Sequence, residues 1–185
     1  MEKDSPEFIA LGSRLLGVPE VLTLGVRPNF FDYTSEERQK IHDADFILYP
    51  SLNYAKYFTT MGKKIFPSVE TYLYAGDKIK QTTLFNMLSI PHPRTRVYFQ
   101  RKFKEIDKDF AYPLIAKLPR ASARGRGVFK ISNSNDLEQY LGLTKIAYIQ
   151  EYLEHDRDLR VILINYEPVL AYWRWPAPGE FRANL

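Results

Sequence analysis

Short apolar runs alternate with amphipathic segments through the first third of the chain, and this order restricts the fold more than any other feature of the sequence. Strands are predicted at 21–26, 45–49 and 64–66, and helices at 34–42 and 54–61. Thr34 and Glu37 have the spacing of a capping box, and Gly62 ends the second helix. Parallel strands need a crossover, usually a helix, so the alternation predicts a small, mostly parallel α/β domain over residues 1–75.

The pattern changes near Gly76, where we place a domain boundary. Asp77 is the predicted N-cap of a helix over 78–88. Further strands are predicted at 96–99, 113–118, 128–131, 147–150, 159–164 and 168–175, with one more helix from Asn133 or Ser134 to Leu141. The last two strands are predicted to form a hairpin joined at 165–167. The expected fold class is therefore α/β (α+β).

Composition excludes several classes of protein. Of the 185 residues, 45% are hydrophobic and 26% are charged, which is typical of a folded globular chain and not of a disordered one. The absence of cysteine excludes disulfides and thiolate metal sites, and it suits a reducing cytoplasm. No apolar run approaches the roughly 20 residues that cross a bilayer. The net charge of +4 leaves nucleic acid and an anionic small ligand open as partners.

A loop rich in glycine and arginine, residues 119–127, joins two predicted strands. Gly125 and Gly127 let backbone N–H groups approach a ligand, and successive N–H groups can form an anion nest to which Ser122 adds a hydroxyl. The loop lacks the G-x-x-x-x-G-K-[ST] spacing of a P-loop. From these residues alone, an anion-binding loop and a mobile hairpin turn are both open.

Lys117 ends the apolar strand that precedes this loop. Strand alternation places it with Ile115 on one face, and Leu114 and Ala116 on the other. A lysine at the end of a buried strand, next to a glycine loop, is well placed to pair with a phosphate. A solvated lysine at a strand end is the alternative.

Two later segments carry polar groups within or beside apolar strands. Residues 150–153 leave a strand for an irregular stretch, whose backbone can meet the edge of an adenine. In the predicted hairpin, Asp158 and Arg160 share a face, and Arg174 lies on the partner strand. Buried charges need a partner or a ligand, so these groups either bind a ribose hydroxyl and a phosphate or carboxylate, or form a structural Asp158–Arg160 ion pair.

Taken in chain order, these features resemble the ATP-grasp superfamily, and within it the RimK-like branch that contains the ribosomal-protein glutamate ligase. The motifs are Asp77-Lys78, Ile90-Pro91 with Pro93, Lys117, the glycine loop ending at Gly127-Val128, Gln150-Glu-Tyr-Leu153, Asp158-Leu-Arg160, Arg174 and Phe181-Arg-Ala-Asn184. The resemblance covers about residues 70–185. It implies a lid subdomain over 76–150 and the start of the last, incomplete ATP-grasp subdomain over 151–185.

The resemblance implies a carboxylate–amine ligase that depends on ATP and Mg²⁺. The γ-phosphate activates a carboxylate as an acyl phosphate, and an amine then attacks to form a peptide-like bond, as in amino-acid or glutamate ligation. By position, ATP would be bound by Lys78 and Lys117 at the phosphates, Ser122, Gly125 and Gly127 in a lid loop, Glu151, Tyr152 and Leu153 at adenine, and Asp158 at the ribose. The catalytic residues facing the phosphate and the substrate would be Arg160, Arg174, Arg182 and Asn184.

Two features depart from the family pattern. The loop has Ser122-Ala123 where Gly-Ser is usual, and the acidic Mg²⁺ ligands of the family would lie beyond Leu185. Glu167 and Glu180 match no ligand position. We therefore expect either a chain truncated from a longer protein or a degenerate gene product. In both cases the chain is expected to bind nucleotide weakly, not to turn over alone, and to expose an apolar face that favours self-association.

Two other functions stay open. One is a non-catalytic nucleotide-binding or interaction module. The other is a basic protein that binds nucleic acid through Arg120, Arg124 and Arg126, although the sequence has no recognition helix or aromatic RNA-binding signature.

Overall fold

A computed structural model of the chain describes residues 8–120 and 127–182. The chain divides into two compact units, Met1–Ala75 and Gly76–Leu185. A parallel sheet forms the first unit, and an antiparallel sheet and a hairpin form the second, which confirms the mixed α/β class. Among the described residues, no helix is both long enough and apolar enough to cross a membrane.

The first unit is built on four parallel strands. Its elements are β1 (Phe8–Ala10), β2 (Val21–Thr23), α1 (Ser35–Asp43), β3 (Phe46–Leu48), α2 (Ser51–Thr60), β4 (Lys64–Phe66) and α3 (Val69–Tyr74), with 3₁₀ turns at Ser13–Leu15 and Phe30–Asp32. The strand order is β2-β1-β3-β4, and each neighbouring pair is parallel, as predicted. The core cluster consists of Ile9, Leu11, Tyr33, Ile41, Ile47, Tyr54 and Phe58.

The capping box predicted at the start of α1 is present. The Glu37 main-chain N–H donates to the Thr34 hydroxyl (3.1 Å), and the Thr34 N–H donates to the Glu37 carboxylate (2.7 Å). The Arg27 guanidinium pairs with the same carboxylate at 3.1 Å. Two donors that a helix end leaves unpaired are thereby satisfied locally, so α1 begins where the sequence predicts.

Two elements of this unit were not predicted. β1 pairs with both β2 and β3, yet it has three residues, too few to show a period in the sequence. α3 has six residues and begins after Ser68, whose hydroxyl accepts the Thr71 N–H at 3.3 Å. β1 is therefore defined by its pairing with two neighbouring strands, whereas α3 is a short helix with a local N-cap.

The second unit contains a four-stranded antiparallel sheet and a separate hairpin. Its elements are α4 (Lys78–Met87), β5 (Thr95–Phe99), a 3₁₀ segment (Gln100–Glu105), α5 (Ile106–Asp109), β6 (Leu114–Lys117), β7 (Val128–Ile131), α6 (Ser134–Leu141), β8 (Ile146–Glu151), β9 (Asp158–Ile164) and β10 (Glu167–Arg174). The order in the sheet is β5-β8-β6-β7. Leu114 and Ala116 of β6 are fully buried in the core with residues of α5 and α6, which confirms the alternation predicted for this strand.

The hairpin closes through a two-residue turn. Asn165 and Tyr166 both have positive φ, 50° and 67°, as a type I′ turn requires. Large apolar side chains on both strands stay about half exposed, including Ile164 at 64% and Trp173 at 50%. The hairpin is therefore defined by its turn and its ladder rather than by a core of its own.

Tyr140 of α6 joins the helix to two strands of the sheet. It is 1% exposed, and its hydroxyl donates to the Lys117 carbonyl (2.7 Å) and accepts the Tyr148 N–H (3.1 Å). One side chain therefore satisfies main-chain groups of both β6 and β8.

We predict that Tyr140→Phe lowers the free energy of unfolding by about 2 kcal/mol, because it leaves a buried carbonyl and a buried N–H without this partner. Urea denaturation measures the loss. Tyr112→Phe is the control, since its hydroxyl bonds to Asp107 on the surface and its removal should cost much less. Equal losses in the two variants would contradict the bridging role of Tyr140.

Candidate functional site

Lys117 lies at the end of β6, on the face of the sheet opposite the core. Its ammonium is half-buried and donates to the side-chain carbonyl of Gln150, with 2.7 Å between Nζ and Oε1. Burial lowers the pKa of Lys117, and the positive charge of Lys78 lowers it further. A cation that is partly desolvated and close to a second cation favours the approach of an anion.

Lys78 reaches the same place from the start of α4. Its Nζ donates to the carbonyl of Leu118, the residue after Lys117, at 2.9 Å, and its main-chain N–H donates to the Pro119 carbonyl at 3.0 Å. Burial lowers the pKa of Lys78, while the nearby Asp77 carboxylate raises it. The two lysines therefore stand together where β6 enters the glycine loop.

Asp77 orients this end of α4. One carboxylate oxygen accepts the N–H groups of Ile79 and Lys80, each at 3.1 Å, and the other accepts from Arg120 Nε at 3.0 Å. The predicted N-cap is confirmed. The same carboxylate thus fixes the helix that carries Lys78 and holds the segment that follows β6.

The paired lysines can bind a polyanion. Repulsion between like charges raises the free energy of the free protein, and a bound anion with several negative oxygens relieves it. Because the sheet and the helix N-terminus hold both ammonium groups, little rearrangement is needed on binding. The arrangement suits a phosphate chain.

The side chains of Gln150 and Thr95 support Lys117. The sequence predicted a backbone role for Gln150 in the adenine segment, but no role for either side chain. The Gln150 side-chain N–H₂ donates to the Thr95 hydroxyl (2.8 Å), which donates to the Pro93 carbonyl (2.7 Å). In the sequence, the one sign of this role was a glutamine directly after the apolar run 146–149. The role of Gln150 depends on its neighbours Thr95 on β5 and Lys117 on β6, the strands on either side of β8.

The predicted adenine segment begins where β8 ends. Glu151 and Arg94 exchange bonds: the Glu151 N–H donates to the Arg94 carbonyl (2.9 Å), and the Glu151 carboxylate accepts the Arg94 N–H (2.5 Å). The centroid of the Tyr152 ring lies 4.1 Å from Lys130 Nζ. Leu153 is 52% exposed. The Glu151 N–H is therefore already bonded within the protein, although it is one of the main-chain groups that the predicted adenine role could use.

Asp158 pairs across the hairpin with Arg174. The pair is bidentate, with 2.7 Å from Arg174 Nε to Oδ1 and 2.9 Å from its Nη2 to Oδ2. Arg160 is exposed on the same face, opposite Tyr172. The structural ion pair considered from the sequence therefore involves Arg174 instead of Arg160, because directly opposed residues are closer than neighbours along one strand.

Arg182 lies beside the end of the glycine loop. A cavity of about 410 Å³ is lined by Gly127, Val128, Phe129, Lys130, Phe181 and Arg182. Glu180 binds the Arg182 guanidinium through two bonds, 2.9 Å from Nε and 2.6 Å from Nη2. This bonding lowers the pKa of Glu180 to about 2. Three predicted site residues, Ser122, Gly125 and Asn184, lie outside the described residues.

The described acids form no metal site. Within 8–120 and 127–182, no group of three or more His, Asp or Glu side chains could hold a metal ion. Glu167 is exposed at the start of β10, and Glu180 is bound to Arg182. These acids do not fit the oxygen-ligand set of Mg²⁺. Mg²⁺ therefore stays a prediction.

A larger cavity lies in the first unit. It has about 1230 Å³ and is bordered by α1, α2 and the segment after β2, with apolar residues such as Ile41 and Phe58 in its lining. None of the residues predicted for the site lies on it. Chemistry, rather than cavity size, therefore places the candidate site in the second unit.

The sequence profile of the RimK-like ATP-grasp domain matches residues 75–185, more than half of the chain. This chain belongs to the RimK-like ATP-grasp family. The match confirms the resemblance that the motifs carried, and its range contains every residue of the candidate site. Among the curated proteins, the ATP-grasp chain finds no match.

Solved structures share the ATP-grasp fold at low sequence identity. An ATP-grasp RimK-domain protein from Sphaerobacter thermophilus has a TM-score of 0.58 and 16% identity, covering 83% of this chain and 67% of that one. D-alanine–D-alanine ligase from Bacillus anthracis has a TM-score of 0.62 and 16% identity, covering 82% and 52%. Carboxyaminoimidazole ribonucleotide synthase from Aspergillus clavatus, complexed with ATP, has a TM-score of 0.59 and 18% identity, covering 76% and 39%. The chain thus spans about two fifths to two thirds of the length of these ATP-grasp proteins.

We predict that Asp77→Ala lowers the free energy of unfolding by about 1 kcal/mol, because α4 loses its N-cap. Asp77→Asn keeps an acceptor oxygen and should cost much less. Both variants remove the charge that raises the pKa of Lys78, so that pKa should fall in both. Urea denaturation and NMR titration of ¹⁵N-labelled lysine side chains measure the two effects. Equal destabilisation by Asn and Ala would refute the cap.

Proposed function

We propose that the chain is the ATP-binding part of an ATP-dependent carboxylate–amine ligase that works through an acyl phosphate. The observation that carries the proposal is the pair of half-buried lysines, Lys78 and Lys117, at the entrance to a glycine loop. Membership of the RimK-like ATP-grasp family supports it, as does the ATP complex of the similar Aspergillus clavatus enzyme. The substrates we propose are an amino acid or another carboxylate and an amine donor.

The proposed reaction has two steps. A carboxylate oxygen attacks the γ-phosphorus of ATP, the bond to the bridging oxygen breaks, and an acyl phosphate and ADP form. The amine nitrogen then attacks the acyl carbon, phosphate leaves with the bonding electrons, and the amine loses a proton. Lys78 and Lys117 lower the activation free energy of the phosphoryl transfer by offsetting the negative charge on the phosphate oxygens.

The other predicted residues receive roles by their place in the chain. We assign adenine to Glu151, Tyr152 and Leu153, ribose to Asp158, the lid loop to Ser122, Gly125 and Gly127, and the transferred phosphate and substrate carboxylate to Arg160, Arg174, Arg182 and Asn184. Guanidinium groups bind either anion through two parallel bonds. In this scheme, residues 76–150 form the lid subdomain and residues 151–185 begin the last ATP-grasp subdomain.

The first test is ATP binding by isothermal titration calorimetry in buffer containing Mg²⁺. We expect one saturable site, weakened about tenfold or more by Lys117→Met and by Lys78→Met, because each removes a charge-assisted bond to phosphate. Lys108→Met is the matched control. It removes the same charge from an exposed position on α5, which packs on the opposite face of the sheet.

The control separates a local site from a general effect of charge. Equal weakening by Lys108→Met would point to non-specific attraction of ATP by a basic surface. Unchanged affinity in both lysine variants of the site, or no binding by the unaltered chain, would refute the proposal.

Salt dependence and product formation distinguish the two alternatives. A nucleic-acid-binding protein should lose affinity for a polynucleotide steeply, with a slope of about one in log–log form for each phosphate neutralised. A site for one ATP should depend on salt much less. ATP binding without formation of ADP and phosphate, across candidate carboxylates and amines, would favour a non-catalytic module over a ligase.

A further inference from the structure

Gln150 is the polar side chain that contacts the Lys117 ammonium, and it is itself 9% exposed. It lies on β8, directly opposite Ile115 of β6 and Thr95 of β5. Because opposed residues share a face, Gln150 projects to the same side of the sheet as Lys117. A glutamine in this position, within a strand whose neighbours are apolar, requires bonding partners for both ends of its amide.

The bonding network fixes the orientation of that amide. The Pro93 carbonyl can accept but not donate, so the Thr95 hydroxyl gives its hydrogen to Pro93 and accepts from Gln150. The Gln150 N–H₂ group therefore faces Thr95, and its carbonyl oxygen faces Lys117. A flipped amide would point N–H groups at an ammonium, which also can donate but not accept.

The charged and titratable groups described beside Lys117 include two lysines and a tyrosine. Lys78 approaches from α4, Lys130 lies on the same face of β7, and the Tyr148 ring centroid is 5.9 Å from Lys117 Nζ. The Asp77 carboxylate, at the start of the same helix as Lys78, caps α4 and binds Arg120. Glu151 is on the opposite face, since it follows Gln150 directly along β8.

We propose that Gln150 is the positioning residue for the phosphate-binding Lys117. Thr95 orients the Gln150 amide so that its carbonyl oxygen, a neutral acceptor, holds the ammonium without cancelling its charge. This inference rests on the proposed function of Lys117 as a phosphate ligand. A carboxylate at the same place would hold the ammonium equally well but would compete with phosphate for its charge. The amide directs the ammonium and leaves its full charge for the ligand.

The test compares Gln150→Glu with Gln150→Met. The pKa of Lys117 is measured in the nucleotide-free chain by NMR of ¹⁵N-labelled lysine side chains, with the signal assigned from Lys117→Arg. A carboxylate stabilises the ammonium and a thioether does not, so the pKa of Lys117 should rise in Gln150→Glu and fall in Gln150→Met. ATP affinity at pH 7 should nevertheless fall by about tenfold in both variants. Gln150→Glu offsets the charge of the Lys117 ammonium, and Gln150→Met no longer holds the ammonium in place.

Two further variants isolate the mechanism. Gln139→Glu adds the same charge at an exposed position on α6, behind the sheet, and should change neither the pKa of Lys117 nor ATP affinity. Thr95→Val removes the anchor of the amide without touching Lys117. It should lower the pKa of Lys117 in the unaltered background and have no such effect in Gln150→Met.

Opposite shifts of the Lys117 pKa, in variants whose thermal unfolding shows that they are folded, would support the positioning role. An unchanged pKa in both Gln150 variants would overturn it, as would a Thr95→Val effect that persists in Gln150→Met. If Lys117→Met and Lys78→Met both bind ATP normally, the proposed function fails, while the pKa measurements still decide whether Gln150 positions Lys117.

Discussion

The described site depends on one interaction, the hydrogen bond from the half-buried Lys117 ammonium at the end of β6 to the side chain of Gln150. Desolvation disfavours the Lys117 ammonium, and the neighbouring Lys78 disfavours it again. The bond to Gln150 offsets part of this cost. β6 also lies between β7 and β8, so the strand cannot change register without breaking two ladders. The charge is therefore in position before an anion binds.

Two side chains of the second unit stabilise this geometry. Tyr140 joins α6 to β6 and β8, and Asp77 fixes the start of α4 while it holds Arg120. Both residues act through main-chain or charged groups that would otherwise lack partners. Such pre-organisation favours the electrostatic stabilisation of a bound charge, because a site that had to reorganise would lose much of that stabilisation.

Lys117 and the two paired arginines differ in the kind of group that binds their charge. Lys117 is held by a neutral amide and keeps its charge, whereas Arg174 and Arg182 are held by Asp158 and Glu180. A guanidinium that already binds a carboxylate through Nε and Nη2 has two of its donors occupied and much of its charge offset before a substrate arrives. Lys117 therefore keeps more of its charge available for the proposed phosphate ligand than the paired arginines do.

What could be predicted from the sequence follows the range of the interactions concerned. The capping box of Thr34 and Glu37, the alternation that turns Lys117 away from the core and the cap of α4 by Asp77 each depend on residues within a few positions, and all were predicted correctly. The parallel sheet was also predicted, but its inner strand β1 was not, since three residues carry too little pattern. Nothing near Asp158 in sequence indicates that its partner is Arg174, because that pairing depends on hairpin register.

The sequence by itself determined the ATP-grasp family, through the order of its motifs, and the position of most helices and strands, through periodicity and capping that act between near neighbours. Tertiary structure alone decided that Lys78 and Lys117 stand together, that Gln150 and Thr95 orient one of them, and that Arg174 and not Arg160 pairs with Asp158. The reason is physical. These contacts join residues far apart in the chain, and they form once strand order and register have brought the elements together.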